Sequence, residues 1–121
     1  MTDNQKLEQL LNEQQFMVLA VTLEDGTPWV TPVRIQKSNS NEFEWDSVVT
    51  AEHSKALTTN PKMAITIFQK KEDSQIGLYA KGTGELVEEL KPGFGRYRFT
   101  AKQCWINDET FVKREVILPS N

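Results

Sequence analysis

The run FMVLAVTL, Phe16 to Leu23, sets the tightest limit on what this chain can become. Eight residues are too few for a buried helix, and turn chemistry bounds them. The run is apolar on both alternating faces, as a strand covered on both sides would be. Glu24-Asp25-Gly26-Thr27 follows, and Asp-Gly supplies the positive φ angles that a tight turn needs, so a hairpin is predicted. The return strand TPWVTPVRIQ alternates, with Trp29, Thr31, Val33 and Ile35 on one face and Val30, Pro32, Arg34 and Gln36 on the other. Pro28 and Pro32 each remove a ladder donor. This strand therefore belongs at an edge or rim, where backbone groups are left free to meet a ligand.

The same reasoning extends along the chain. Thr2 or Asp3 caps a first helix with an apolar stripe of Leu7, Leu10 and Leu11, ending near Gln14. EFEWDSV is a strand with Phe43, Trp45 and Ser47 on one face and Glu42, Glu44 and Asp46 on the other. A helix follows from about Ala51 to Asn60 and stops because the residue before Pro61 is pushed out of helical geometry. KMAITIFQ is a second buried-looking strand. Ile76 to Glu89 is a long strand whose Gly82 and Gly84 suit a bend where a sheet curls. LKPGFGRYRFTAKQ reads as a loop with a short helix, and Cys104–Ile106 with Thr110–Leu118 as a closing hairpin through Asn107-Asp108. The expectation is a mainly β fold: an antiparallel barrel of six to seven strands with two to three short flanking helices. At 121 residues it is expected to be a single domain, residues 1–121.

Composition excludes several functions. Fourteen basic against seventeen acidic residues give a net charge of −3, and the basic residues of the C-terminal third are interspersed with acidic ones. A nucleic-acid or membrane surface would want a clustered positive excess, so neither partner is expected. One cysteine, Cys104, and one histidine, His53, leave neither an intramolecular disulfide nor a metal site to expect. The start MTDNQKLEQLL lacks the pattern of a signal peptide, and no apolar run approaches the ~20 residues of a membrane helix. The expected location is cytoplasmic. Apolar residues make up only 38% of the chain, and a dimer is one way to bury more surface than so thin a core allows.

Chemistry concentrates in WDSVVTAEHSKALTTNP, Trp45 to Pro61. A helix mouth offers unpaired N–H groups and the positive end of the dipole, which attract phosphate. Ser47 and Ser54 could add hydroxyl donors, Lys55 a charge and His53 a ring nitrogen. Two readings stand at this level. Either Thr50 merely caps the helix and the rest is ordinary surface, or the cluster holds an anion.

The order of the pieces carries a resemblance. W-x-S-x5-H-S-K (Trp45, Ser47, His53, Ser54, Lys55), the N-P after the helix, G-L-Y-x-K-G-T-G-E-L-V and C-W-I-N-D-E resemble the pyridoxamine 5'-phosphate oxidase-like family of FMN-binding split β-barrels. The short members related to general-stress proteins are the most similar, and the resemblance runs from about Leu7 to Leu118. It implies that Ser47, His53, Ser54 and Lys55 hold the FMN phosphate. Val30, Thr31, Pro32 and Val33 would line the isoalloxazine, and Trp45 would sit beside the ring or ribityl chain. It also implies a homodimer with the cofactor cleft at the interface, where Trp105 and Arg114 are candidates for the partner's wall. Trp105 has the alternative role of a barrel-plugging or dimer-core aromatic.

True pyridoxamine-phosphate oxidases carry a C-terminal Arg-x-His substrate motif, whereas this chain ends FVKREVILPSN. Vitamin B6 synthesis is therefore not expected. The resemblance implies a small FMN-dependent oxidoreductase with NADH or NADPH as candidate reductant and an unknown acceptor. The alternatives are a non-catalytic flavin-binding stress protein, or a relative using a deazaflavin or no cofactor. No side chain stands out as a catalytic acid or base.

Overall fold

The computed structural model describes residues 1–118, and its two helices and eight strands form one antiparallel system. The first helix, α1 (Asp3–Glu13), starts where the sequence predicts. Thr2 accepts from the Gln5 amide at 3.1 Å while the Gln5 side chain accepts from the Thr2 amide at 2.8 Å, a reciprocal cap. Leu7 and Leu10 turn inward and are fully buried.

Strands β1 (Phe16–Thr22) and β2 (Pro28–Arg34) form the predicted hairpin, with Gly26 at φ +89° in the turn. A short β3 (Lys37–Asn39) pairs with β4 (Glu42–Val48), and α2 (Glu52–Thr59) follows. The remaining strands are β5 (Lys62–Lys70), the long β6 (Gln75–Lys91) and β7 (Phe94–Asp108), and a short β8 (Arg114–Val116). The sheet runs β2-β1-β5-β6-β7-β4-β3, with β8 added to β7. Its two flanks approach each other where the Gln36 amide donates to the Glu44 carbonyl at 2.8 Å. The two sides lean together without registered pairing, which is a barrel left open along one seam.

β6 bends at Gly82, as expected. The pairing register with β7 shifts between Lys81 and Gly82, and a Cβ there would collide with the Thr100 carbonyl. Two expectations are corrected. The short helix in LKPGFGRYRFTAKQ does not form; Pro92-Gly93 is the turn of the β6–β7 hairpin, and Gly95, Tyr97, Phe99 and Ala101 alternate inward along β7. The strands number eight among the described residues, because the three-residue β3 was not distinguished by pattern, while the segment before Cys104 extends a strand already expected there.

The core is the barrel interior. Met17, Leu19, Ile65, Ile67, Leu78, Phe99 and Ile106 fill it, capped by Leu7 and Leu10 from α1 and by Ala56 and Leu57 from α2. Such side chains each contribute about 1.5–3 kcal/mol by leaving water. Trp45 is fully buried and stacked on Tyr97, its register partner, with ring centroids 5.6 Å apart and planes 17° apart. Neither helix is long and apolar enough to cross a membrane.

One polar cluster ties the first helix to the last strand. The buried Asp108 carboxylate accepts from Thr110 Oγ1 (2.6 Å), Lys6 Nζ (2.9 Å) and Arg114 Nη2 (2.9 Å). Arg114 also grips Asp3 through two bonds of 3.0 Å. The hydrogen bonds from Thr110, Arg114 and Lys6 hold the Asp108 carboxyl far below the usual carboxylate range.

Candidate functional site

The mouth of α2 is built by the turn from β4. Ser47 is the last inward-facing residue of that strand, after Phe43 and Trp45, and it stands half-buried at the barrel end. Its Oγ lies 2.8 Å from His53 Nε2. Burial lowers the His53 pKa below its ordinary value, so the ring is neutral near pH 7 and the pair is a neutral hydrogen bond.

The helix opens without a side-chain cap. Ala51 holds the capping position, and Thr50 does not donate or accept there, contrary to the simplest reading of the sequence. The amides of the first turn therefore meet no side-chain acceptor, which is the condition under which a helix N-terminus draws an anion.

Ser54 behaves differently from the expectation. It is 1% exposed, and its hydroxyl donates to the Val48 carbonyl at 2.8 Å. Its hydroxyl proton is committed to the chain, so the Ser54 side chain pins the β4–α2 turn and has no donor left for a phosphate. Lys55 lies on the exposed side of α2 and reaches Glu52 at 3.2 Å, with both side chains at least half open to water. An exposed i,i+3 pair of this kind is worth under about 1 kcal/mol, so the ammonium is free to re-aim. Glu52 would have to swing away when it does.

Trp45 offers no surface of its own. It lies behind Ser47 against Tyr97, and its Nε1 is sealed from solvent with no hydrogen-bond partner among the described residues. It can support the site from beneath and cannot stack on a ligand in this arrangement. β2 touches both β4 and α2, so the strand that carries residues 30–33 shares their neighbourhood. Val30 is 65% exposed and Pro32 exposed, while Thr31 is half-buried and Val33 faces the core.

Trp105 and Arg114 are apart from this group, at the β7–β8 pairing. Trp105 stands on the outer sheet face as the register partner of Tyr79. Arg114 is held by Asp3 and Asp108, which raises its pKa further and leaves its fork no vacancy for a cofactor. Sequence reasoning missed the Val48 carbonyl that takes the Ser54 proton and the ring of Tyr97 behind Trp45. The alternation Tyr97-Arg98-Phe99 was the available signal for the second.

A 290 Å³ hollow on the other side of α2 is lined by Lys55, Glu52, Leu23, Glu24, Ala56 and Thr59. Clefts of 340 and 480 Å³ lie at the far end of β5 and β6. The mouth of α2 brings together donors and a charge: the first-turn amides, Ser47, His53 and Lys55.

Comparison with known proteins adds three findings. Residues 4–116 match a family model described as pyridoxamine 5'-phosphate oxidase. No curated protein matches the sequence. Among solved structures, a heme-binding protein from Mycobacterium smegmatis superposes with a TM-score of 0.82 at 13% identity, over 97% of this chain and 58% of its own length. A protein from Clostridium acetobutylicum, related to general stress protein 26 of B. subtilis and of the pyridoxinephosphate oxidase family, gives 0.79 at 14% identity, over 96% of both chains. An FAD-binding protein from Mesorhizobium loti gives 0.73 at 13% identity, over 87% of this chain and 92% of its own. At these identities the likeness is one of fold.

Proposed function

Because this chain belongs to the pyridoxamine 5'-phosphate oxidase family, we propose that it is a flavoprotein holding FMN by its phosphate at the mouth of α2. The observation that carries this reading is the uncapped start of α2 beside the 2.8 Å Ser47–His53 pair. The donor set fits a phosphate: backbone amides of the first turn, the Ser47 hydroxyl, whose proton is free to turn outward when His53 Nε2 is the donor, and the Lys55 ammonium. Charge-assisted bonds of this kind are about twice as strong as neutral ones. Ser54 contributes by locking the turn. The exposed edge of β2 at Val30–Val33 suits the flat end of the cofactor, with backbone groups at the rim and apolar side chains around them.

The second wall is supplied by another copy of the chain. Phe16, Val30, Phe68 and Tyr79 are each 40–65% exposed on the outer face of adjoining strands, an apolar surface of the sort that marks an interface. Trp105 lies on that face and is the candidate for the partner's contribution; Arg114 is occupied.

Flavin supplies the redox chemistry in such a protein, and the chain binds it, orients it and shields it from water. NADH or NADPH is the proposed reductant, and the acceptor is unassigned. A protein that only stores flavin would use the same contacts, and reduction of the bound flavin by NADH or NADPH separates the two. The heme-binding neighbour raises heme as an occupant. Heme wants an axial ligand, and the only histidine has its Nε2 engaged with Ser47, which favours flavin.

The direct test is the visible spectrum of the purified protein and the mass of whatever denaturation releases. A flavin spectrum and the mass of FMN are expected. A colourless protein that takes up no added FMN would overturn the reading.

A further inference from the structure

His53 is the only histidine in the chain, half-buried at the start of α2 with its Nε2 2.8 Å from Ser47 Oγ. The charged groups around it are engaged elsewhere. α2 packs on β1, β2 and β6 and is tied to β4 through Ser47 and Ser54. β1 carries no ionisable side chain, and β2 carries only Arg34, at the end paired with Phe16. On β4, Glu42, Glu44 and Asp46 alternate with Ser47 to the outer sheet face, where Glu44 and Asp46 bind Arg98 and Arg96. On β6, Glu85 and Glu88 lie opposite the same two arginines, Lys91 sits on the Phe94 ring, and Tyr79 and Lys81 are at Trp105. Glu89 is opposite Gly95, the register partner of Ser47, and accepts from the Gly93 amide at 3.0 Å. Glu52 and Lys55 of α2 face water and each other. Burial alone therefore sets the direction in which the ring's pKa moves.

A neutral imidazole lets the Ser47–His53 bond run either way. With Nε2 accepting, the serine proton is spent on the ring and Ser47 offers an anion only lone pairs. With Nε2 donating, that proton is free. An imidazolium permits one direction alone: both ring nitrogens carry protons, Nε2 donates, and the Ser47 hydroxyl donates elsewhere. The converse also holds. An anion that takes the Ser47 proton selects the donating ring, and two hydrogen bonds in series bring its charge within about 6 Å of the imidazole. At that range an opposite charge favours the protonated ring.

We propose that His53 is a proton-linked positioning residue: as a phosphate group settles at the mouth of α2, the imidazole takes one proton from solvent at Nδ1, keeps its Nε2–H on Ser47 and locks the serine hydroxyl toward the phosphate. The proposal rests on the flavin reading for the identity of the anion and goes beyond it by making the charge of the ring part of the site. Its consequence has a definite sign. Burial keeps the ring neutral near pH 7 without the anion, so binding there takes up a proton, and affinity rises as pH falls. The rise ends at the ring's pKa in the free protein, below which both states are protonated, and it vanishes above the raised pKa of the bound state. Each unit by which the anion raises the ring's pKa corresponds to a tenfold gain in affinity.

The test uses the full untagged chain, in which a single histidine gives one set of ring signals in NMR. The ring is titrated from pH 5 to pH 8.5 without flavin, with saturating FMN, and with saturating riboflavin, which lacks the phosphate. FMN is expected to raise the ring's pKa by at least about one unit and riboflavin to leave it in place. In Ser47→Ala, which cuts the path between ring and phosphate, less than half of that rise should remain. Affinity for FMN is then compared between the parent and His53→Gln, both of which share the loss of the phosphate's second charge near pH ~6. The ratio of the two affinities should grow about tenfold in the parent's favour from pH 8.5 to pH 6. FMN binding with an unmoved ring, an equal rise with riboflavin, a full rise in Ser47→Ala, or a ratio that stays constant with pH would each overturn the linkage and leave the flavin reading standing. Failure of FMN to bind at any pH would overturn both.

Discussion

Ser47 Oγ and His53 Nε2 are 2.8 Å apart, joining the end of β4 to the first turn of α2 across a gap of six residues. That bond decides what the serine can do. When the imidazole is the donor, the hydroxyl proton of Ser47 is free to point out of the protein, toward whatever occupies the helix mouth. In Ser47→Ala with Lys55→Ala, FMN affinity should fall by a factor on the order of a hundred or more, from two lost bonds to a dianion at about 1.5–3 kcal/mol each. Thermal stability should fall by no more than about 1.5 kcal/mol, the net worth of the one bond to His53, because Lys55 is exposed and Ser47 only half-buried. Quenching of added FMN fluorescence measures the first and a melting curve the second; unchanged affinity would remove both residues from the phosphate site.

Ser54 should separate from that pair. Ser54→Ala breaks the link to the Val48 carbonyl, which keeps the Ala51 amide at 3.2 Å, so the cost is that of one net hydrogen bond, about 0.5–1.5 kcal/mol of stability. Any loss of FMN affinity should follow the loosened turn and be shared by riboflavin, which has no phosphate. A loss confined to FMN would make Ser54 a phosphate ligand after all.

Protonation of His53 gives a pH dependence of known sign. Burial lowers its pKa in the folded chain relative to about 6.5 in the unfolded one, so the unfolded state binds the proton more readily. The stability associated with neutral His53 is complete above that unfolded value and declines as pH falls through it toward the lower folded pKa. Compared with His53→Gln, the parent protein should lose melting temperature between pH 7 and pH 5. Parallel curves for the two proteins would contradict the burial argument.

Asp108→Asn should cost about 2–4 kcal/mol, since it leaves Lys6 and Arg114 facing an amide. The loss stays below that of a fully sealed pair because both cations are about one-third open to water. In the parent, the lowered Asp108 pKa means this stabilisation is present above about pH 4 and is lost as pH falls further. Urea titration at pH 7 and pH 3 checks both statements: the variant's deficit should be smaller at the acid end.

Phe68→Asp changes a side chain that is 60% exposed on the outer sheet face. The fold should tolerate it, and sedimentation should move from dimer to monomer, because an unpaired charge in an apolar interface is strongly unfavourable. A dimer that survives the change would place the second copy elsewhere.

Trp45 tests the orphaned indole. Trp45→Ala should cost about 3–5 kcal/mol, the range for emptying a large aromatic site. Trp45→Phe should cost much less, because it keeps the stack on Tyr97 and removes a buried donor that has no partner. Equal costs would show that Nε1 is satisfied in solution.

Local pattern was enough for β1, β2, β4, β5 and both helices, since each declares itself by alternation, a turn dipeptide, a cap or a following proline. The first half of β7 was missed because Arg96 and Arg98 made it look solvated, although every second residue there is apolar or glycine. The arginines are half-buried partners of Asp46 and Glu44 on the neighbouring strand, a fact that lies fifty residues away in sequence. The site divides in the same way. That a serine, a histidine and a lysine meet at a helix mouth is readable from spacing. Which hydroxyl faces outward and which is tied to Val48 is not, because it depends on how the turn folds back. Arg114 was misjudged for want of a contact with Asp3, 111 positions earlier.

β7 is the hub of the sheet, paired with β6, β4 and β8 at once. A ribosome makes β4 roughly fifty residues before it makes the strand that covers Phe43 and Trp45. Through that interval the nascent chain carries its largest fully buried side chains with no lasting place to put them. Cotranslational assembly must therefore wait for Phe94 to Asp108 to emerge, and a message truncated before that point would yield a product fit only for proteolysis.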